Sequence, residues 1–286
     1  MASTLSLSDS RKLGYALDAE PKDAPIIILS NSLCAPFTAW DHVVEVLNKN
    51  GYRTLRYDQP GHGDSSSPQD LNSTTFASIA DDVAYLLKSL GISKVYGWVG
   101  VSMGAATGIY FTTQYPNVVS KLAICDTINS SPSNAGVEDL FGPRVAAARK
   151  DGNLDKITQG TLDRWFGQAW QAENPKEAER MRSLMLRTTV DGFETCCAAL
   201  RSDTFDLRPL FGKVGAGVDE AICVVGEKDA NLPQTMDDMR AKVQAGFAAV
   251  GKSNSVSLKV IKNAGHVCFI DGFDQFNEII LSFLKG

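Results

Sequence analysis

Through the first half of the chain, short apolar runs bounded by turn residues alternate with longer stretches of helical spacing, and that alternation limits the fold more than any other feature. Residues 26–29, Ile-Ile-Ile-Leu, are apolar on both faces, as a strand in the middle of a parallel sheet covered by helices must be. The same criterion predicts strands over 53–57, 95–99, 121–125, 221–225 and 256–261, with 12–17 as an antiparallel edge at the start. Helices fit between them: 40–48, closed by Asn50-Gly51; 75–90, opened by Ser73 or Thr74 and closed by Gly91; and 102–115, stopped before Pro116. The expected architecture is α/β, a mostly parallel central sheet flanked by helices.

The alternation breaks after residue 125, and the next strand begins about a hundred residues later. The intervening segment opens with Ser130-Ser131-Pro132-Ser133-Asn134 and then shows helical period over 143–150, 155–169, 175–188 and 193–200. It is expected to be a helical cap, residues 131–209, inserted between two strands of a core formed by 1–130 and 210–286. At 286 residues the chain is long enough for two domains, but one interrupted sheet domain accounts for the pattern. Gly212-Lys213-Val214-Gly215-Ala216-Gly217 reads as a flexible loop.

Composition removes several classes of function. Lys and Arg total 28 against 33 Asp and Glu, a net charge of −5 without any basic block, which argues against nucleic acid or an anionic membrane as partner. No apolar run approaches a membrane span, and Met1-Ala2-Ser3-Thr4-Leu5 lacks the basic start and hydrophobic region of a secretory signal, so a cytoplasmic location is expected. The six cysteines form no CxxC pair and mostly sit in apolar segments, as buried reduced thiols do; Cys196-Cys197 reads as helix core. Walker, G-x-G-x-x-G and HExxH patterns are missing, and no two histidines stand at metal-ligand spacing, so neither cofactor nor metal is expected.

One motif carries chemistry. Gly100-Val101-Ser102-Met103-Gly104 is a G-x-S-x-G sequence lying between a predicted strand and a predicted helix. That sharp turn exposes the Ser102 hydroxyl in a strained conformation, and the helix start behind it favours developing negative charge. A serine needs a base to take its proton, and the chain has three histidines. His42 falls early in a helix beside Asp41, a structural position; His62 falls in the turn Gly61-His62-Gly63, where an imidazole commonly satisfies loop backbone groups. His266 follows the 256–261 strand and alone satisfies the order Ser, acid, His. The acid is expected at Asp229, in the loop after the 221–225 strand, with Glu227 and Asp126 as competitors. The oxyanion formed by attack on a carbonyl would be held by the Met103 amide and by one from Ser30-Asn31-Ser32-Leu33-Cys34, with Leu33 preferred.

These residues resemble the α/β-hydrolase superfamily and, within it, the 3-oxoadipate enol-lactonases. The broad likeness lies in Arg56-Tyr57-Asp58-Gln59-Pro60-Gly61-His62-Gly63-Asp64-Ser65, Gly100 to Gly104, Gly226 to Asp229 and Gly265-His266. The narrower one lies in Leu29-Ser30-Asn31-Ser32-Leu33, Cys125-Asp126-Thr127, Arg164-Trp165-Phe166 and Asp191-Gly192-Phe193-Glu194-Thr195-Cys196-Cys197-Ala198-Ala199-Leu200. Cys34 stands where such lactonases usually have glycine, and Phe141, before Arg144, stands where they have tryptophan. The resemblance implies that Ser32, Phe141, Arg144 and Trp165 bind substrate. Arg144 would meet a substrate carboxylate, which a guanidinium recognises with two parallel bonds; the alternative is a surface arginine on a helix.

The resulting expectation is a metal-free serine hydrolase, of the carboxylic ester and lactone type, opening a small lactone or enol-lactone through an acyl-enzyme. Two alternatives share its site. A carboxylesterase or a C–C bond hydrolase would use the same three side chains, since the cap selects the substrate, and a ligand receptor on this fold would keep them without multiple turnover.

Overall fold

The computed structural model describes residues 2–286. Eight strands form one sheet: β1 (Ala2–Ser6), β2 (Lys12–Leu17), β3 (Ile26–Ser30), β4 (Arg53–Tyr57), β5 (Val95–Val101), β6 (Val119–Cys125), β7 (Glu220–Gly226) and β8 (Ser257–Ile261). Their spatial order is β1-β2-β4-β3-β5-β6-β7-β8. The pairs from β4 to β8 are parallel, while β1 and β2 run antiparallel. Residues 12–17 are therefore not the edge: β1 pairs outside them, from Ala2 against Ala16 to Ser6 against Lys12. That strand, Ala-Ser-Thr-Leu-Ser, is almost wholly exposed, so no hydrophobic pattern marks it.

The helices are α1 (Asp41–Lys49), α2 (Phe76–Ser89), α3 (Met103–Gln114), α4 (Pro132–Ala135), α5 (Phe141–Asp151), α6 (Asp155–Glu173), α7 (Pro175–Met185), α8 (Val190–Arg201), α9 (Val214–Gly217), α10 (Leu232–Ala249), α11 (Cys268–Asp271) and α12 (Phe273–Lys285). The cap of α2 is Thr75 rather than Ser73 or Thr74, because Thr75 and Ser78 exchange side-chain and backbone bonds of 3.0 and 2.9 Å. Residues 212–217 are not a loose loop. They form a 3-10 turn and α9, and Gly215 and Gly217 are buried where a β-carbon would meet the backbone of Phe247 and Thr112.

Ile27, Ile28 and Leu29 are fully buried at the centre of the sheet. Against β5 lies α3, whose small residues Gly104, Ala105, Ala106 and Gly108 let it approach closely enough for Trp98 Nε1 to donate to Gly104 O at 3.0 Å. The ends of the parallel strands are level: Ser30 pairs with Gly100, Val101 with Cys125, Cys125 with Val224, and Gly226 with Ile261. The loops after β3, β5, β7 and β8 consequently emerge at one edge, where ligands bind in open α/β sheets. Helices α4 to α8 occupy the segment between β6 and β7. They are tied to the sheet loops by Thr189 N–H to Gly61 O (3.0 Å) and by the Thr74 and Thr195 hydroxyls (2.7 Å). Gly167, at φ 73° and ψ 158°, breaks α6 immediately after Trp165-Phe166.

Candidate active site

Ser102 sits between β5 and α3 at φ 56° and ψ −118°, a conformation that a residue with a β-carbon holds only when its surroundings impose it. Those surroundings are tight. A β-carbon on Gly100 would run into the Gly104 carbonyl, and one on Gly104 into the Ser30 carbonyl, so both glycines of the motif are steric requirements of the turn. The Ser102 amide is anchored to Cys125 O (2.9 Å), while its hydroxyl has no hydrogen-bond partner among the described residues.

His266 Nδ1 lies 2.7 Å from Asp229 Oδ2, and both side chains are mostly covered. The two competing acids are placed elsewhere. Glu227 is exposed and accepts from Lys262 Nζ (2.8 Å) and the Asn263 amide (3.0 Å). Asp126 is fully buried, accepts the Gly226 amide at 2.7 Å, and is pushed far above the usual carboxylate range by burial and by the charge of Asp229. His42 is half exposed and faces Glu177 at 3.6 Å. His62 is fully buried in the backbone role expected of it: Nε2 accepts the Cys34 amide and Nδ1 donates to Pro60 O, both at 2.9 Å.

Ser102, His266 and Asp229 line one cavity of about 290 Å³, together with Leu33 and Met103. The Leu33 and Met103 amides donate to no acceptor among the described residues. For Met103 this follows from its place in the first turn of α3, whose leading N–H groups have no partner within the helix. Among the described residues no group of three or more His, Cys, Asp or Glu is placed to hold a metal ion. A larger groove of about 610 Å³ lies between α2 and the C-terminal end of α3, but its wall contains neither a histidine nor Ser102.

Phe141, Arg144 and Trp165 also line the smaller cavity. The Trp165 ring lies 5.8 Å from that of His266. Arg144 donates to Thr161 Oγ1 (2.7 Å) and lies over the Phe193 ring at 5.6 Å, so it is not an outward-facing surface arginine. Ser32 is not among the cavity-lining residues: it is 1% exposed and its Oγ is buried without a partner among the described residues, while Leu33 and Cys34 of the same turn line the cavity. Arg164, in the Arg164-Trp165-Phe166 run, also lines the cavity; it is solvent-exposed and forms no ion pair among the described residues. Partial desolvation among the cavity side chains and the nearby Arg144 charge hold its guanidinium below its ordinary pKa. Its spacing of 20 from Arg144 has no helical meaning, since the two residues stand on different helices.

The chain matches the model of the alpha/beta hydrolase fold over residues 25–273, and it belongs to that family. It is 28% identical over 294 residues to 3-oxoadipate enol-lactonase 1 of Acinetobacter baylyi, with 100% of this chain and 99% of the relative covered. To 3-oxoadipate enol-lactonase 2 of the same organism it is 26% identical over 217 residues, 76% of each. Among solved structures, the enol-lactonase from Burkholderia xenovorans LB400 superposes with a TM-score of 0.84 at 26% identity, covering 99% of this chain and 100% of that one. No helix among the described residues is long and apolar enough to cross a membrane.

Proposed function

We propose that this chain is a serine hydrolase that opens a small lactone or enol-lactone bearing a carboxylate. One observation carries the proposal: a single cavity joins Ser102 and the His266–Asp229 pair to two arginines, Arg144 and Arg164, that have no carboxylate partner among the described residues. Two guanidiniums lining one cavity repel each other, and an anionic substrate relieves that repulsion while gaining charge-assisted hydrogen bonds. The small volume suits a compact substrate.

In the proposed reaction Ser102 Oγ attacks the lactone carbonyl as His266 Nε2 takes its proton. Asp229, on Nδ1, holds the imidazole tautomer and stabilises the imidazolium. The Leu33 and Met103 amides receive the oxyanion. The ring C–O bond then breaks, and the leaving enol or alkoxide oxygen takes the proton from His266. Because the ring tethers the leaving oxygen to the acyl group, both ends stay in the cavity, with the carboxylate on the arginines. Water deprotonated by His266 attacks the acyl carbon, and Ser102 leaves with the returned proton. The relatives named as enol-lactonases support this reading.

The test is steady-state hydrolysis of a panel of lactones and enol-lactones, with and without a carboxylate, beside aryl esters. The proposal expects multiple turnover and a kcat/KM for carboxylate-bearing lactones about tenfold or more above their neutral counterparts. Equal rates for both overturn the role of the arginines, and a single turnover overturns the enzyme.

A further inference from the structure

The loop bearing Leu33 is a turn whose form is imposed from outside. The Ala35 amide donates to Ser32 O at 3.2 Å, and Cys34, third of the four residues, stands at φ 67°, while Leu33 keeps a negative φ. A turn closed in this way with only its third residue left-handed is type II, the form in which that position normally belongs to glycine. Cys34 carries a β-carbon there, so the isolated sequence favours type I, in which the peptide between Leu33 and Cys34 is turned over. The group that opposes this is His62. Its Nε2 accepts the Cys34 amide, a bond that exists only with that peptide in its present orientation. An imidazole accepting at Nε2 carries its proton on Nδ1, which is satisfied by Pro60 O. Burial pushes the His62 pKa down to about 4, so the ring remains an acceptor at neutral pH.

We infer that His62 is a positioning residue for the oxyanion site, holding the 32–35 turn in the form that presents the Leu33 amide to the cavity. The inference rests on the proposal that this amide receives the oxyanion. Without the His62 bond the turn that carries Leu33 at its second position is free to exchange between the two forms, and an oxyanion donor works only when held within about 2.7–3.1 Å of the oxygen. The ends of the loop are held independently. Asp58 Oδ1 accepts the Phe37 amide at 2.6 Å, and Gln59 Nε2 donates to Asn31 O at 3.3 Å, so loss of the His62 bond acts on the turn alone.

The experiment measures kcat and KM for para-nitrophenyl acetate with wild type, His62→Ala, His62→Gln, Cys34→Gly, and His62→Ala combined with Cys34→Gly. His62→Ala is expected to lower kcat about tenfold or more with KM within about threefold, and His62→Gln, which restores an acceptor, to recover most of the loss. With glycine at position 34 the left-handed φ needs no support, so His62→Ala should then cost less than about threefold. An equal loss in both backgrounds, a change confined to KM, or a Gln variant no better than Ala overturns the inference. Should His62→Ala fail to fold, the Gln variant against wild type, each with and without Cys34→Gly, gives the same comparison. Ser102→Ala, run alongside, separates the two ideas. Retained turnover there overturns the proposed function itself; lost turnover there with unchanged kcat in His62→Ala overturns only the role of His62.

Discussion

The 2.7 Å approach of His266 Nδ1 to Asp229 Oδ2 leaves Nε2 as the ring nitrogen with no hydrogen-bond partner among the described residues. Its two partners arrive on different loops. Asp229 follows β7 and His266 follows β8, and they meet because Gly226 and Ile261 are paired at the level ends of those strands. Asp229→Asn should lower kcat by about three to four powers of ten with the fold retained, through the wrong imidazole tautomer. Glu227→Gln should stay within about threefold of wild type, since Glu227 only bridges exposed loop groups. Steady-state kinetics of the two variants checks the assignment; a large loss in Glu227→Gln together with a small one in Asp229→Asn would reverse it.

Arg164→Met and Arg144→Met should act on charge recognition. For a carboxylate-bearing lactone each is expected to raise KM about ten- to a hundredfold, while kcat/KM for a neutral aryl ester changes by less than about threefold. Parallel assays of the two substrates decide this, and equal losses on both would mean the arginines only shape the cavity.

Most of the fold was legible because its signals are local. The both-faced apolar run of β3, the glycines around Ser102 and the break in alternation after residue 125 each follow from a short stretch of sequence. The motif points to Ser102, the Ser, acid, His order selects His266 among three histidines, and the loop after the 221–225 strand favours Asp229 over Glu227 and Asp126; these three residues line one cavity. What escaped is set by tertiary context. Strand β1 has no apolar face, Gly215 and Gly217 serve close packing against Phe247 and Thr112, and Ser32 differs from Leu33 only in which side of a turn it occupies. Arg164 was equally hidden, because an arginine facing a cavity and one facing solvent look alike in sequence.

Gly265 lets helix α6 approach the backbone next to His266. A β-carbon there would collide with the Trp165 carbonyl, and the Gly265 amide is held by Asp271 Oδ2 at 2.7 Å. Gly265→Ala should therefore displace the His266 backbone and lower kcat about tenfold or more, as small misplacements of catalytic groups do. Kinetics and thermal melting of this variant give the check, an unchanged kcat being the contrary result.

Asp58 should give stability a distinct pH slope. Burial pushes its carboxyl up to about 7 against 3.8 unperturbed, despite bonds from the Asp64 and Phe37 amides. Between those values the folded state holds a proton that the unfolded chain has released, so this contribution is full below about pH 4 and is lost as pH rises through about 7. Urea unfolding of wild type and Asp58→Asn from pH 4.5 to 8 should show the wild-type difference falling by about 1 kcal/mol per pH unit, then levelling above 7. His62 and Asp271 titrate in both proteins and cancel in the difference. A difference that does not vary with pH would contradict the buried proton.

The central claim is that Ser102 is the nucleophile of a hydrolytic cycle, and ring opening of a carboxylate-bearing lactone by wild type and Ser102→Ala, under identical conditions, tests it most directly. The account predicts sustained turnover by wild type and a kcat lower by about three powers of ten or more in Ser102→Ala, with the fold intact by circular dichroism. Full turnover by the Ser102→Ala protein would contradict it.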